Sequence, residues 1–244
     1  MQFSTTQALP STLKSDCLVV GVHEKAQLTR AAAQLNKACD GLIRALIKSG
    51  DMDGKPRSTR LLFNPPGIAA KRVLLVGLGS QDQAMSVAHY RDSVSAALNS
   101  LQGTGAGRAA FFLCEATVTG QDKRWQAAQI AQLACEASYR FDATKSKKPA
   151  ARKLVAMNIA STLAADIAAL RKGVQEGAAI GSGIALAREL GDLPANVCTP
   201  TYLANEARKL GRSLGLAVEV MDRKAMEKLG MRTLLSVAQV KLHT

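Results

Sequence analysis

The densest run of charge in this chain surrounds residue 145, where Arg140, Lys145, Lys147, Lys148, Arg152 and Lys153 stand against a single acid, Asp142. Lysines this close in sequence, beside Pro149, form a cationic loop that can meet phosphates without reading bases. No aromatic residue is interleaved with the lysines, which argues against stacking on a single strand. Contact with a duplex backbone through Lys145, Lys147, Lys148, Arg152 and Lys153 is the nucleic-acid mode the pattern admits. The competing reading is a solvated face, or a surface neutralised by an acidic element elsewhere. A second basic group, Arg208, Lys209, Arg212, Arg223, Lys224 and Lys228, lies further on, and the formal charge of the whole chain is +13.

Other reactive side chains are scattered. His23, His89 and His243 lack a second histidine or a carboxylate at metal-ligand spacing. Ser11-Thr12-Leu13-Lys14 has the Ser-x-x-Lys form, but it lies in a proline-flanked loop without companion motifs. Gly77-Leu78-Gly79-Ser80 follows a strand as a nucleotide-binding turn would, yet it lacks the third glycine and the closing acid. A tight strand-to-helix turn is the better reading. The cysteines, Cys17, Cys39, Cys114, Cys135 and Cys198, are odd in number and widely spaced, which suits buried free thiols in a reducing cytoplasm. No catalytic residue and no metal ligand is assigned in this chain.

The elements that would carry these residues alternate between short β-rich runs and amphipathic helices. Strands are expected at 17–22, 59–63, 72–76, 109–114 and 153–159, with helices at 25–48, 84–101 and 124–139. Continuous apolar strands separated by helices imply a largely parallel sheet covered on both faces. One long helix, about 164–190, carries Gly173, Gly177, Gly181 and Gly183, which makes sense if another helix packs closely on that side. At the following junction Pro194 and Pro200 exclude a helix interior, and Thr199-Pro200 opens the next helix as N-cap and first residue. Residues 201–214 then read as a helix, 216–221 as a strand, and Asp222 as the cap of a short helix ending before Gly230. With 47% hydrophobic and 4% aromatic residues, no apolar run near the ~20 residues of a membrane span, and no secretory signal, the chain reads as cytoplasmic, with no membrane partner.

The junction Asp192-Leu193-Pro194-Ala195-Asn196-Val197-Cys198-Thr199-Pro200-Thr201-Tyr202-Leu203-Ala204 resembles the segment that enters the catalytic domain of the leucyl (cytosol) aminopeptidases. Tyr139-Arg140-Phe141-Asp142 with Lys145-Ser146-Lys147-Lys148 resembles the end of that family's N-terminal domain. Lys228-Leu229-Gly230-Met231 with Leu234-Leu235-Ser236-Val237-Ala238-Gln239 resembles the start of its catalytic domain. The resemblance implies an α/β chain with a macro-domain-like N-terminal domain (1–159) and a connecting helix (160–191). The start of a metallopeptidase domain (192–239) and a non-family tail (240–244) follow.

The function it implies is release of N-terminal amino acids from peptides by an enzyme holding two divalent ions, manganese or zinc, within a hexamer. The family's lysine, acidic and arginine motifs for that chemistry do not occur here, and Arg232 stands where a small residue is usual. The expected role is therefore that of an N-terminal fragment without activity of its own. Some bacterial members of the family also bind DNA, which keeps a regulatory duplex-binding role as the alternative.

Overall fold

A computed structural model describes residues 1–237. Cys17-Leu18-Val19-Val20-Gly21-Val22 forms β2, buried at every position. It pairs in parallel with β4 (Arg72–Gly77) on one side and with β5 (Arg108–Phe111) on the other. β6 (Ala156–Ser161) continues the parallel pairing beyond β5, and β1 (Gln2–Gln7) closes that edge, parallel to β6. β3 (Thr59–Phe63) runs antiparallel to β4 at the opposite edge, so the six-stranded order is β1-β6-β5-β2-β4-β3.

Helices cover both faces of the central strands, as their unbroken apolar sequences require. On one face Val19, Leu74, Phe111 and Ile159 meet side chains of α3 (Val87–Gln102), α4 (Lys123–Ser138) and the first half of α5 (Ile167–Asp192). On the other, Leu18, Val20 and Leu75 meet α1 (Arg30–Ala38) and α2 (Leu42–Lys48). Local signals start these helices. Thr29, Ser86 and Asp122 each accept a backbone N–H of the first turn of α1, α3 and α4.

The chain divides into two compact units, Met1–Glu189 and a second beginning at Leu190. In the second, Thr199 caps α6 (Pro200–Leu214) with Pro200 in its first turn, and Asp222 caps α7 (Arg223–Lys228), as the sequence predicts. Among the described residues no helix is long and apolar enough to cross a membrane.

The structure departs from the sequence reading at several points. The predicted helix over 25–48 is two helices, because Asp40 and Gly41 take φ of 51° and 86° and turn the chain between them. The run 109–114 leaves the sheet after Phe111 and closes a single 3₁₀ turn, Leu113–Glu115. β6 begins at Ala156 rather than Lys153, and the edge strand β1 and the helix α8 (Arg232–Val237) carry no clear sequence signal. The expected strand 216–221 has no regular structure. A strand exists only where a neighbour takes its ladder hydrogen bonds, and no described residue pairs with this one. The tail 240–244 lies outside the described residues.

Glycines bring α4 and α5 together. A Cβ on Gly173 would overlap the carbonyl oxygen of Arg124, and one on Gly177 the carbonyl oxygen of Ala128. At Gly181 it would overlap the Cβ of Cys135. Arg124 donates to Glu176 across the same seam, at 2.9 Å for its Nε. Gly183 has open space around it and takes no part in the seam. Replacing Gly177 with Ala should therefore destabilise the first unit by more than about 2 kcal/mol, since backbone cannot yield to an added methyl. Gly183→Ala should be neutral or stabilising by about 0.5–1 kcal/mol, because it gains helix propensity with nothing to displace. Urea unfolding followed by circular dichroism checks both. Equal stabilities for the two variants would contradict the seam.

Candidate functional site

From β2 the chain moves to β4 on one side, then crosses back over β2 to β5 on the other. Connections that part in this way leave a crevice at the carboxyl ends of the strands, the usual ligand position in an open parallel sheet. A cavity of about 290 Å³ lies there, lined by His23 after β2, Thr29, Glu115, Ser161, Thr162 and Asp166.

Its centre is Glu115. One carboxylate oxygen accepts the backbone N–H of Ala31 in the first turn of α1 at 2.7 Å, and the other accepts the hydroxyl of Thr162 at 2.9 Å. The N-terminus of α1 carries the positive end of the helix dipole, so a carboxylate of the chain occupies the seat an anionic ligand would take. Ser161 is committed as well, since its hydroxyl donates to Asp166 at 2.6 Å and accepts Leu163 N–H at 3.0 Å. The Lys123 ammonium donates to the carbonyl oxygens of Cys114 and Ala116.

His23 is buried, and its Nδ1–H donates to the Gly79 carbonyl at 3.1 Å. Burial pushes the imidazole below its ordinary pKa against the weaker opposing pull of that bond, so it is neutral at neutral pH. The cleft thus offers polar walls whose two hydroxyl–carboxylate pairs, Ser161–Asp166 and Thr162–Glu115, are each also engaged by a backbone N–H.

The glycine turn beside it is structural. Gly79 takes φ of 80° and a Cβ on Gly77 would overlap the Lys55 carbonyl oxygen, so both glycines serve a close backbone crossing. It is not a tight strand-to-helix turn, because residues 80–86 intervene before α3 begins at Val87.

The basic cluster lies at the other end of the strands, in the segment between α4 and β6, which has no regular structure. Arg140 acts there as a clamp. Its guanidinium donates to the carbonyls of Pro149 and Ala150 at 3.2 Å each and to Asp142 at 3.3 Å. Lys145, Lys147, Lys148 and Lys153 are exposed and Arg152 is half-buried. Among the described residues none of these five forms a salt bridge. Arg152 and Lys153 border a groove with Arg140, and Lys145, Lys147 and Lys148 do not line it.

All five thiols are free, and burial pushes Cys17 and Cys114 up to about 12, far from a reactive thiolate. His89 is exposed on α3, and His243 lies outside the described residues. Among the described residues no group of three or more His, Cys, Asp or Glu side chains could hold a metal ion. Sequence reasoning missed Glu115, whose partner Ala31 is 84 positions away, a pairing with no local signature.

The family model for the N-terminal domain of the cytosol aminopeptidase family matches residues 19–148, more than half of the chain, and that for its catalytic domain matches 185–242. A probable cytosol aminopeptidase of Methylobacillus flagellatus is 40% identical over 240 residues, covering 98% of this chain and 48% of the relative. One from Alkalilimnicola ehrlichii is 42% identical over 243 residues, with the same coverage of 98% and 48%. The chain thus spans about half the length of the curated relatives it matches.

Among solved structures, a tomato leucine aminopeptidase mutant superposes with a TM-score of 0.73 at 23% identity, covering 94% of this chain and 46% of that one. The bottromycin maturation enzyme BotP follows at 0.67 and 24%, covering 88% and 41%. At these identities the structures attest the fold: a mixed α/β architecture with a largely parallel sheet. By the family models, read in chain order over most of its length, the chain belongs to the cytosol aminopeptidase family.

Proposed function

We propose that the chain is the N-terminal portion of an aminopeptidase that releases N-terminal residues, leucine among them, from peptides, and that it has no peptidase activity by itself. The observation that carries this reading is the joint match of both family models in a chain about half the length of its relatives. The two divalent ions expected for the family, manganese or zinc, do not fit the residues present. Such ions need several carboxylate, imidazole or thiolate groups converging on one point, and the described residues offer no such group. No catalytic step is therefore assigned to this chain. BotP has also been solved in complex with Mn, which supports manganese as the class of ion for an intact enzyme.

The proposed division is an N-terminal domain over 1–159, a connecting helix over 160–191 and the opening of the peptidase domain over 192–239. A cytosolic, homo-oligomeric assembly, a hexamer by family resemblance, belongs to the same reading. Burial supports a change near residue 190, at the second of these boundaries. From Leu190 onward only Gly211 and Leu235 are buried among the described residues, while Leu214, Leu216, Leu229 and Leu234 are more than half exposed. Apolar faces of this kind belong to elements that would pack on further sheet.

Two measurements test the reading. Purified chain supplied with Mn²⁺ or Zn²⁺ should release no leucine from leucine amide above background, and measurable turnover would end the proposal. Limited proteolysis should cut first between Gly191 and Met221 and leave the first unit intact, because little of that segment is buried and protected. Uniform resistance along the chain would contradict the division.

Duplex DNA is the second reading, favoured by Lys145, Lys147 and Lys148, exposed on one irregular loop and in no salt bridge among the described residues. Binding should be indifferent to base sequence and steeply salt-dependent. Four or five phosphate contacts through these lysines, Arg152 and Lys153 give a slope near about −4 in log K against log salt. Replacing the three loop lysines with Ala should flatten the slope by about 2–3 without lowering the melting temperature. Filter binding at several salt concentrations measures it, and an unchanged slope would remove the DNA reading.

A further inference from the structure

We infer that a groove at the amino ends of the strands binds a small organic anion, one carboxylate or phosphate carried on a short apolar body. The inference goes beyond the peptidase reading and does not depend on it. The groove has a volume of about 420 Å³ and lies where the C-terminal ends of α3 and α4 meet the segment leading into β6. Leu98, Ala134, Ala137 and Leu154 give it apolar walls, and Arg140, Arg152 and Lys153 give it a cationic border.

Two simpler roles account for those cations less well. Helix C-termini attract cations because their last carbonyls lack partners, but several of the nearby carbonyls here already have donors. Gln102 donates to Ala137 O at 3.1 Å, the Ser138 hydroxyl to Ala134 O at 2.7 Å, and the Thr104 hydroxyl to Leu101 O at 2.7 Å. Tyr139 N–H serves Cys135 O at 3.0 Å.

Ion pairing also accounts for them less well. Asp142 is the acid that lines the adjoining recess, and Arg140 already engages it at 3.3 Å. Arg152 and Lys153 are left without a salt bridge among the described residues. A neutral apolar guest would gain nothing from these cations, and a bare inorganic ion would leave the apolar walls wet. A guest with both features meets both demands, as small-molecule sites generally do.

Titration of ¹⁵N-labelled chain with phenyl phosphate, phenylacetate and inorganic phosphate tests this. The amides of Gly103, Gly105 and Leu154 should shift and saturate with at least one of the aromatic anions. Inorganic phosphate should bind about tenfold more weakly or worse, since it cannot fill the apolar part. Saturation with only one aromatic anion assigns the site to phosphates or to carboxylates, and saturation with neither overturns it. Arg152→Gln with Lys153→Gln should weaken binding about tenfold or more at unchanged melting temperature, because charge-assisted bonds are lost. The triple Ala variant at Lys145, Lys147 and Lys148 should bind as the unmodified chain does. Equal affinity for inorganic phosphate, or loss of binding in the triple variant, overturns the groove in favour of a diffuse cationic surface. The comparison of the three ions needs no variant, so it decides the matter even where the double substitution impairs folding.

Discussion

Because β2 is buried at every position, with β4 hydrogen-bonded on one side and β5 on the other, the rest of the first unit must cover it on both faces. Full burial of each of Leu18, Val19, Val20 and Val22 contributes about 1.5–3 kcal/mol, so a helix layer that withdrew from either face would forfeit several kcal/mol at once. The two faces are met in different ways. α1 and α2 are short and bring Ala31, Leu35 and Ile43, whereas α3 and α4 are longer and bring Tyr90, Val94 and Ile130. On that second face the first half of α5 joins the same core and packs against α4 by way of its glycines. Where a side chain is missing, two backbones approach, and dispersion attraction along the seam offsets the helix propensity lost at each glycine.

The same strand order that buries β2 also opens the crevice above it, and Glu115 then decides what that crevice can be. Carboxylates on helix N-termini form charge-assisted hydrogen bonds, worth about 1.5–3 kcal/mol each. Holding Ala31 N–H and the Thr162 hydroxyl, Glu115 joins the start of α1 to the end of β6 across β5. A side chain in that position stabilises the fold and repels a second anion from the same place. At the opposite end of the sheet Asp16 plays a similar part, accepting Gly107 and Arg108 N–H at 2.9 and 3.0 Å, and Asp142 pairs with Arg140. The two ends of one sheet are thus each tied by a carboxylate, while Arg152 and Lys153 carry no salt bridge among the described residues.

The second unit contrasts with the first in the source of its order. Its helices are formed by local devices, the Thr199 and Asp222 caps and the Gly215 and Gly230 turns with φ of 69° and 72°. Its apolar residues find little to pack on, and Val218 and Val220 each remain 41% exposed. Local capping can start and stop a helix, but tertiary burial supplies most of a helix's stability in water.

Most of the first unit's architecture was readable from residues alone. Runs such as 17–22 and 72–76 have no polar interruption, so their type and burial follow from composition, and the caps follow from single side chains that reach back to their own backbone. The junction at 192–204 could be read as a break between helices, because each proline restricts the backbone wherever it falls, and the family was legible there as a resemblance in its residues. What only the tertiary structure decided depends on residues far apart in sequence. The edge strand β1 exists because β6 accepts it, and 216–221 is not a strand because nothing described pairs with it. Glu115 serves α1 from 84 positions away, and one half of a nearly continuous run of cations borders a groove while the other half faces water. Local sequence sets what a segment can form, but ladder hydrogen bonds and burial need a partner, and the partner is chosen by the fold.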